Sequence, residues 1–253
     1  MKHLLSGDSL AVVKRLASEK SLCAFDFDGT LAPIVANPKR ATMRAGTRNL
    51  LTRLASLYPC LVLSGRARAD VLGKLDGVLT ARVIGSHGAD TGHAGTCRHL
   101  VEEWRAELEA PLSAIPGVWI EDKGLSLAVH YRQSAQKVEA RRSILATACT
   151  LKRARIIGGK QVVNVVPAGA PDKGDALAAE RDRLGCNWVL YAGDDENDED
   201  AFALDGNIVS VRIGRKRRSH ARYYLRAQAE IDKLLELLVR LREDKEARPV
   251  RAN

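Results

Sequence analysis

The sequence predicts an α/β fold built on a largely parallel sheet. Three observations carry that prediction. Short apolar runs alternate with helix-period segments in the order β-α-β-α-β as far as Gly85. The same alternation resumes after Pro171. Between them, the order changes to α-β-β-α-β-β, which reads as a small α+β layer inserted into the larger unit.

Each element has a local reason. Leu10, Val13 and Ala17 mark a short amphipathic helix over residues 9–18. Residues 21–27 form the first strong strand, and Pro33 and Pro38 punctuate the loop after it. Leu50, Leu54 and Leu57 set a helix over residues 44–57. Cys60-Leu61-Val62-Leu63 is the second strand, closed by Ser64-Gly65-Arg66. A short helix over 67–75 leads to a third strand at Arg82-Val83-Ile84-Gly85. In the inserted layer, Leu100, Trp104 and Leu108 mark a helix over 98–110. Strands follow at 118–120 and 125–129, then a helix over 134–149 and strands near 154–157 and 161–166. The layer's expected limits are 91 and 166. Gly92-His93-Ala94-Gly95 and the segment 167–171 would act as hinges, leaving 1–90 and 167–253 as the core.

Asp172 is positioned to cap the next helix, and Asp175 completes a capping-box pairing. Strands are expected at 187–192 and 208–211, and a helix over 220–243. Ile231, Leu234, Leu235, Leu238 and Leu241 would make that helix's apolar stripe.

Composition narrows the function. With 253 residues, 45% of them hydrophobic, the chain can bury one large core or two modest ones. Aromatics amount to only 4%, which argues against a stacking surface for single-stranded nucleic acid. No apolar run reaches the ~20 residues of a membrane helix, and the N-terminus does not read as a signal peptide. Five scattered cysteines without a CxxC pair suit reduced thiols and a cytoplasmic location. Net charge is +9, and most of the excess lies in residues 212–251. The run Arg215-Lys216-Arg217-Arg218 is expected to be a solvated loop rather than a nucleic-acid contact.

The chemistry is concentrated at strand ends. Asp26-Phe27-Asp28-Gly29-Thr30 follows the apolar run Leu22–Phe25 directly. In open α/β sheets, ligands bind outside the carboxyl ends of strands. Alternation along an extended chain would turn Asp26 and Asp28 to one side, where they repel unless a cation intervenes. Ser64 ends the next strand and offers a hydroxyl to a phosphate oxygen. Lys173 falls in a helix's first turn, where it opposes the helix dipole unless an anion is bound. The run Gly193–Asp200 places six carboxylates after another strand, a density that calls for a cation. Oxygen-only donors favour Mg²⁺ over zinc, and no HxxxH or Cys/His cluster competes.

In this order the four signals resemble the haloacid dehalogenase superfamily of phosphatases, with DFDGT as motif I and Ser64, Lys173 and Gly193-Asp194-Asp195 with Asp198 as the rest. The resemblance implies a Rossmann-like core with an inserted α+β cap. It implies Asp26 as a nucleophile that forms an aspartyl-phosphate and Asp28 as general acid and base. It also implies a Mg²⁺ ion held by Asp26, the backbone carbonyl of Asp28, and Asp194. Ser64 and Lys173 would hold phosphoryl oxygens, and Asp198 would orient Lys173 or metal-bound water.

A finer resemblance is to the trehalose-6-phosphate phosphatase family. It rests on Phe25–Ile34, Leu63-Ser64-Gly65-Arg66, Gly85–Asp90, Glu121–Arg132, Gly159-Lys160 and Asp172-Lys173-Gly174. By that resemblance Glu121, Lys123 and Ser126 contact the sugar through the cap, and Arg66 and His87 lie near the seam between cap and core. Arg132 and Asn164 join the candidate substrate contacts. Asn164 stands where the family usually has a glutamate, and Asn197 replaces a usual threonine. The implied substrate is a phosphorylated disaccharide, and the implied partner a trehalose-6-phosphate synthase. Two rivals remain: a phosphatase for another sugar or glycosyl-glycerate phosphate, and a noncatalytic phosphosugar-binding regulator.

Overall fold

The computed structural model describes residues 1–78, 82–91 and 94–247, without the side chains of 89–91 and 94–97. In chain order the elements are β1 (Lys2–His3), α1 (Leu10–Ser18), β2 (Ser21–Phe25), α2 (Ala45–Leu57), β3 (Cys60–Leu63), α3 (Arg68–Leu75) and β4 (Arg82–Ile84). Next come α4 (Ala94–Ser113), β5 (Trp119–Asp122), β6 (Leu127–His130), α5 (Lys137–Ala148), β7 (Ala154–Gly159) and β8 (Val162–Pro167). The chain finishes with α6 (Lys173–Leu184), β9 (Trp188–Gly193), α7 (Glu199–Phe202), β10 (Ile208–Ile213), β11 (Tyr223–Leu225) and α8 (Glu230–Glu246).

The larger sheet has seven strands in the order β1-β11-β10-β9-β2-β3-β4, and the described pairs are parallel. β2 lies inside it, between β9 and β3, and all five of its residues are buried. A strand covered on both faces reads as a continuous apolar run rather than an alternating one, as Leu22–Phe25 does. One face packs under α1, α2 and α8 through residues such as Leu16, Leu51, Leu54 and Leu234. The other packs on α6 and α7 through Ala24, Leu61, Leu177 and Phe202.

The smaller sheet is antiparallel, in the order β5-β6-β8-β7. It has its own core, in which Val129 and Val163 meet Trp104 and Leu108 of α4 and Ile144 of α5. Its inner face looks onto the carboxyl ends of the larger sheet's strands. Lys123 donates to the Gly65 carbonyl at 2.9 Å, and Arg132 to the Val35 carbonyl at 3.0 Å.

Two elements differ from expectation. Residues 220–243 do not form one helix: Tyr223–Leu225 is a strand between β10 and β1, and α8 begins at Glu230. Three residues are too few for a period to emerge, and pairing with β10 overrides local helix propensity. The edge strand β1 was invisible for the same reason. The α8 stripe itself is buried as its spacing implies, through Ile231, Leu234, Leu235 and Leu238. Of the expected hinge Gly92-His93-Ala94-Gly95, the first two residues lie outside the described residues, and Ala94 and Gly95 open α4 rather than a loop.

Candidate active site

β2 ends at Phe25, so the chain leaves extended geometry before Asp28. The expectation that Asp26 and Asp28 face one another is therefore not met, and each carboxylate has its own cation. Asp26 turns inward, its Oδ1 accepting from Lys173 Nζ at 2.9 Å, and its backbone N–H is fixed on the Ala192 carbonyl of β9. Asp28 turns outward to Arg66, which grips both carboxylate oxygens at 2.6 and 2.8 Å. Arg66 also reaches Asp70 and the Pro38 carbonyl.

The capping box at Asp172 and Asp175 starts α6 where Lys173 becomes its first residue. Lys173 is fully buried, with Nζ between Asp26 and Asp198, the latter at 2.7 Å. An ammonium at a helix N-terminus was expected to need a bound anion. The chain supplies the anions itself, as two carboxylates. Burial works against the charged ammonium, but Asp198 and Asp26 outweigh it and raise the Lys173 pKa.

Asp198 is the hub of this cluster. Its Oδ1 accepts from Lys173 and from the Tyr191 hydroxyl at 2.6 Å. Its Oδ2 accepts the backbone N–H groups of Asp194 and Asp195 at 2.8 and 2.9 Å. Burial raises its pKa, but the Lys173 charge and these hydrogen bonds bring the net value below the usual carboxylate range. Asp194 directly follows β9 and is buried. Burial first, then the Asp198 charge, lift its carboxyl to about 6, against the pull of Lys160. Lys160, in the β7–β8 turn, ion-pairs with Asp194 across the seam. Asp26 is raised by burial as well, then lowered by Lys173 and raised again by Asp198 and Asp194.

Close approach is built into the backbone. Gly29 has φ +87°, and a Cβ there would lie 2.1 Å from Asp194 Oδ2. Only glycine lets the acidic loop meet the turn after β2.

Asp26, Asp194 and Asp198 each offer an oxygen, all within 4.8 Å of one another. Of these, Asp198 is already occupied by four hydrogen bonds, so Asp26 and Asp194 are the carboxylates with capacity to spare. An all-oxygen donor set whose buried carboxylates resist ionisation fits a hard divalent cation.

The remaining expected residues fall in two groups. Ser64 is buried at the end of β3, with its Oγ accepting from the Arg66 N–H. His87 is buried, its ring against Gly65 and beside the Asn164 side chain of β8. Burial lowers its pKa well below 6.5, and the charges of Lys123 and Lys173 lower it further. Glu121 accepts from His130 at 2.8 Å, which holds its carboxyl below the usual range. Arg132 and Lys123 tie the small sheet to the core. Ser126, in the β5–β6 turn, is fully buried, and its hydroxyl has no partner among the described residues.

Sequence reasoning missed three contributors. Tyr191 lies inside an apolar strand and gave no signal. Lys160 was noted only within a matching stretch. Arg212 extends β10 and is buried; it donates to the Asp194 and Asp195 carbonyls at 2.8 and 3.0 Å and pairs with Glu199. A charge continuing the apolar run Ile208–Val211 was the available clue for Arg212.

Three carboxylates and a buried ammonium thus gather at the carboxyl ends of parallel strands, with Ser64 at the end of the neighbouring strand. That arrangement is the one expected of the haloacid dehalogenase superfamily. The Trehalose-phosphatase family model matches residues 24–225, and the chain belongs to that family. A trehalose-phosphate phosphatase of Mycolicibacterium paratuberculosis is 37% identical over 203 residues, covering 74% of this chain and 52% of that protein. The chain thus spans about half the length of the curated relatives it matches. Among solved structures, the C-terminal domain of the C. albicans trehalose-6-phosphate phosphatase aligns with a TM-score of 0.77 at 20% identity, over 91% of this chain and 96% of that one. The C-terminal domain of a Candida albicans trehalose synthase regulatory protein aligns with a TM-score of 0.61 at 15% identity, over 87% of this chain and 94% of that one.

Proposed function

We propose that the protein is a Mg²⁺-dependent phosphomonoesterase that converts trehalose 6-phosphate to trehalose and phosphate. The observation that carries this reading is the buried Asp26–Lys173–Asp198 chain, with Asp194 alongside it, at the end of β2 and β9. A regulator that only binds a phosphosugar needs cations for the anion; it does not need a buried carboxylate held in place beside them.

Asp26 acts as the nucleophile. Lys173 engages Oδ1 and leaves Oδ2 to attack phosphorus, forming an aspartyl-phosphate. Ser64 and Lys173 hold phosphoryl oxygens, and Asp198 positions Lys173 by charge and hydrogen bond. Asp28 gives a proton to the departing sugar oxygen and later takes one from the attacking water. Because Arg66 holds Asp28 through two bonds, that pair must loosen within each turnover. Asp26, Asp194 and the Asp28 backbone carbonyl would hold Mg²⁺, which would supply positive charge that makes the phosphate a better electrophile.

Segment 91–166 acts as the cap over residues 1–90 and 167–253. It excludes water and reads the sugar through Glu121, Lys123 and Asn164, with Arg66, His87 and Arg132 at the seam. Ser126 joins these sugar contacts, and its backbone carbonyl accepts from the Lys123 N–H, which supports the turn that presents Lys123. A trehalose-6-phosphate synthase is the partner this reading implies. A cytoplasmic setting is part of the same reading, supported by thiols Cys23 and Cys60 in apolar packing; among the described residues no helix is long and apolar enough to cross a membrane.

A second reading, a phosphatase for another sugar phosphate, is favoured by Asn164, an uncharged group buried beside His87. Phosphate release from a panel of sugar phosphates separates the two. Asp26→Asn should lose more than ~100-fold in turnover on every substrate, since an amide of the same shape is a weak nucleophile. Comparable turnover in folded D26N protein would sink the mechanism.

A further inference from the structure

The inner face of the small sheet carries two rows of side chains. Pairing places Glu121, Ala128, Asn164 and Ile157 in one row. Trp119, His130, Val162 and Gly159 make the next. The first row belongs to the site already described, through Glu121 and Asn164. The outer part of the second row has no role there.

Trp119 and His130 stack with ring centroids 4.0 Å apart and planes 13° from parallel. His130 is fixed in turn by its bond to Glu121 at 2.8 Å. Trp119 is nevertheless 42% exposed. Every other described phenylalanine, tyrosine and tryptophan is more deeply covered. Leaving that much indole in water forgoes stabilisation that burial would give. Packing alone does not require an indole at an edge strand, nor a hydrogen-bonded imidazole behind it. The stack restricts the rotation of the indole, so a flat apolar plane is presented in a fixed orientation. Trp119 lies two residues from Glu121 on the same strand face, roughly 7 Å further from the core contacts.

We infer that Trp119 is a platform for the sugar ring farther from the phosphate, backed by His130 and bordered by Glu121. A pyranose ring has apolar C–H faces and a rim of hydroxyls. An aromatic plane suits the face, while a carboxylate beside it suits the rim. This inference rests on the phosphorylated-disaccharide reading and deepens it. It gives the inner face a division of labour, with Lys123 and Glu121 near the seam and Trp119 reading whether a second ring is present.

The test compares trehalose 6-phosphate with glucose 6-phosphate in wild type, W119A and W119F. In W119A, kcat/KM for the disaccharide should fall at least tenfold, mainly through KM, with less than a twofold change for the monosaccharide. W119F, which keeps an aromatic face, should recover most of the loss. Trehalose should quench tryptophan emission in wild type and leave W119F unchanged, whose remaining Trp104 and Trp188 are more buried. Equal losses on both substrates, an unchanged disaccharide KM in W119A, or the same quenching in W119F would overturn the platform alone. A wild-type enzyme that hydrolyses the monosaccharide phosphate and no disaccharide phosphate would overturn both the platform and the proposed substrate.

Discussion

Asp198→Asn is the sharpest perturbation of the site. The two carboxylate oxygens accept four hydrogen bonds, Lys173 and Tyr191 on one and two backbone N–H groups on the other. An asparagine of the same shape has one acceptor oxygen and one NH₂ group. Whichever way the amide turns, its NH₂ faces two donors. Two of the four bonds are lost in a site with no exposure to water, at about 1–3 kcal/mol for each group left unpaired. Lys173 also loses one of its two carboxylates, and breaking a buried ion pair costs about 3–5 kcal/mol. These costs overlap, because Lys173 figures in both. The expected destabilisation is about 3–5 kcal/mol, a large share of a typical stability of about 5–15. Urea unfolding should show a lower midpoint with an unchanged slope, since the surface exposed on unfolding is the same. Phosphate release by the folded fraction should fall with it, because Lys173 is no longer held. A D198N protein within 1 kcal/mol of wild type would refute the assignment of Asp198 as the hub.

Other outcomes follow from neighbouring features. Because His87 has a folded pKa well below 6.5, the unfolded chain takes up a proton near pH 6.5 that the folded one does not. Stability should therefore be lost as pH falls through about 6.5, at up to about 1.4 kcal/mol per pH unit from this residue, and urea titrations of His87→Gln should show a flatter acid limb than wild type. Gly29→Ala should displace Asp194, because the new methyl meets its carboxylate and the φ of +87° disfavours alanine; the Mg²⁺ concentration for half-maximal activity should rise at least tenfold, and an unchanged value would separate Gly29 from metal binding. Chelation should abolish phosphate release and added Mg²⁺ should restore it, whereas full activity in metal-free buffer would remove the metal from the scheme.

The sequence made the central strands legible because burial on both faces leaves continuous apolar runs, as at Leu22–Phe25 and Cys60–Leu63. It made the start of α6 legible because a capping box is a local signal. It failed at β1 and β11, which are short and exist only by pairing with strands distant in sequence. The candidate site divides in the same way. Asp26, Lys173 and Asp198 stand out as charges at strand and helix ends. Tyr191 and Arg212 act from within strands, where the pattern shows a core position and hides what the tip of the side chain reaches. Asp28 was misjudged because strand alternation was carried past Phe25, where the strand stops.

The position of β2 has a consequence for how damage spreads. Asp26 hangs from an interior strand, beside the middle strand β9, whose Ala192 carbonyl holds its amide. Opening of β1 and β11 at one border leaves that amide untouched, so its hydrogen exchange should follow only global unfolding while border amides exchange sooner. Tolerance to mutation should then run radially. Lesions at the sheet's margins erode stability and spare the chemistry, whereas lesions on the central strands take both at once.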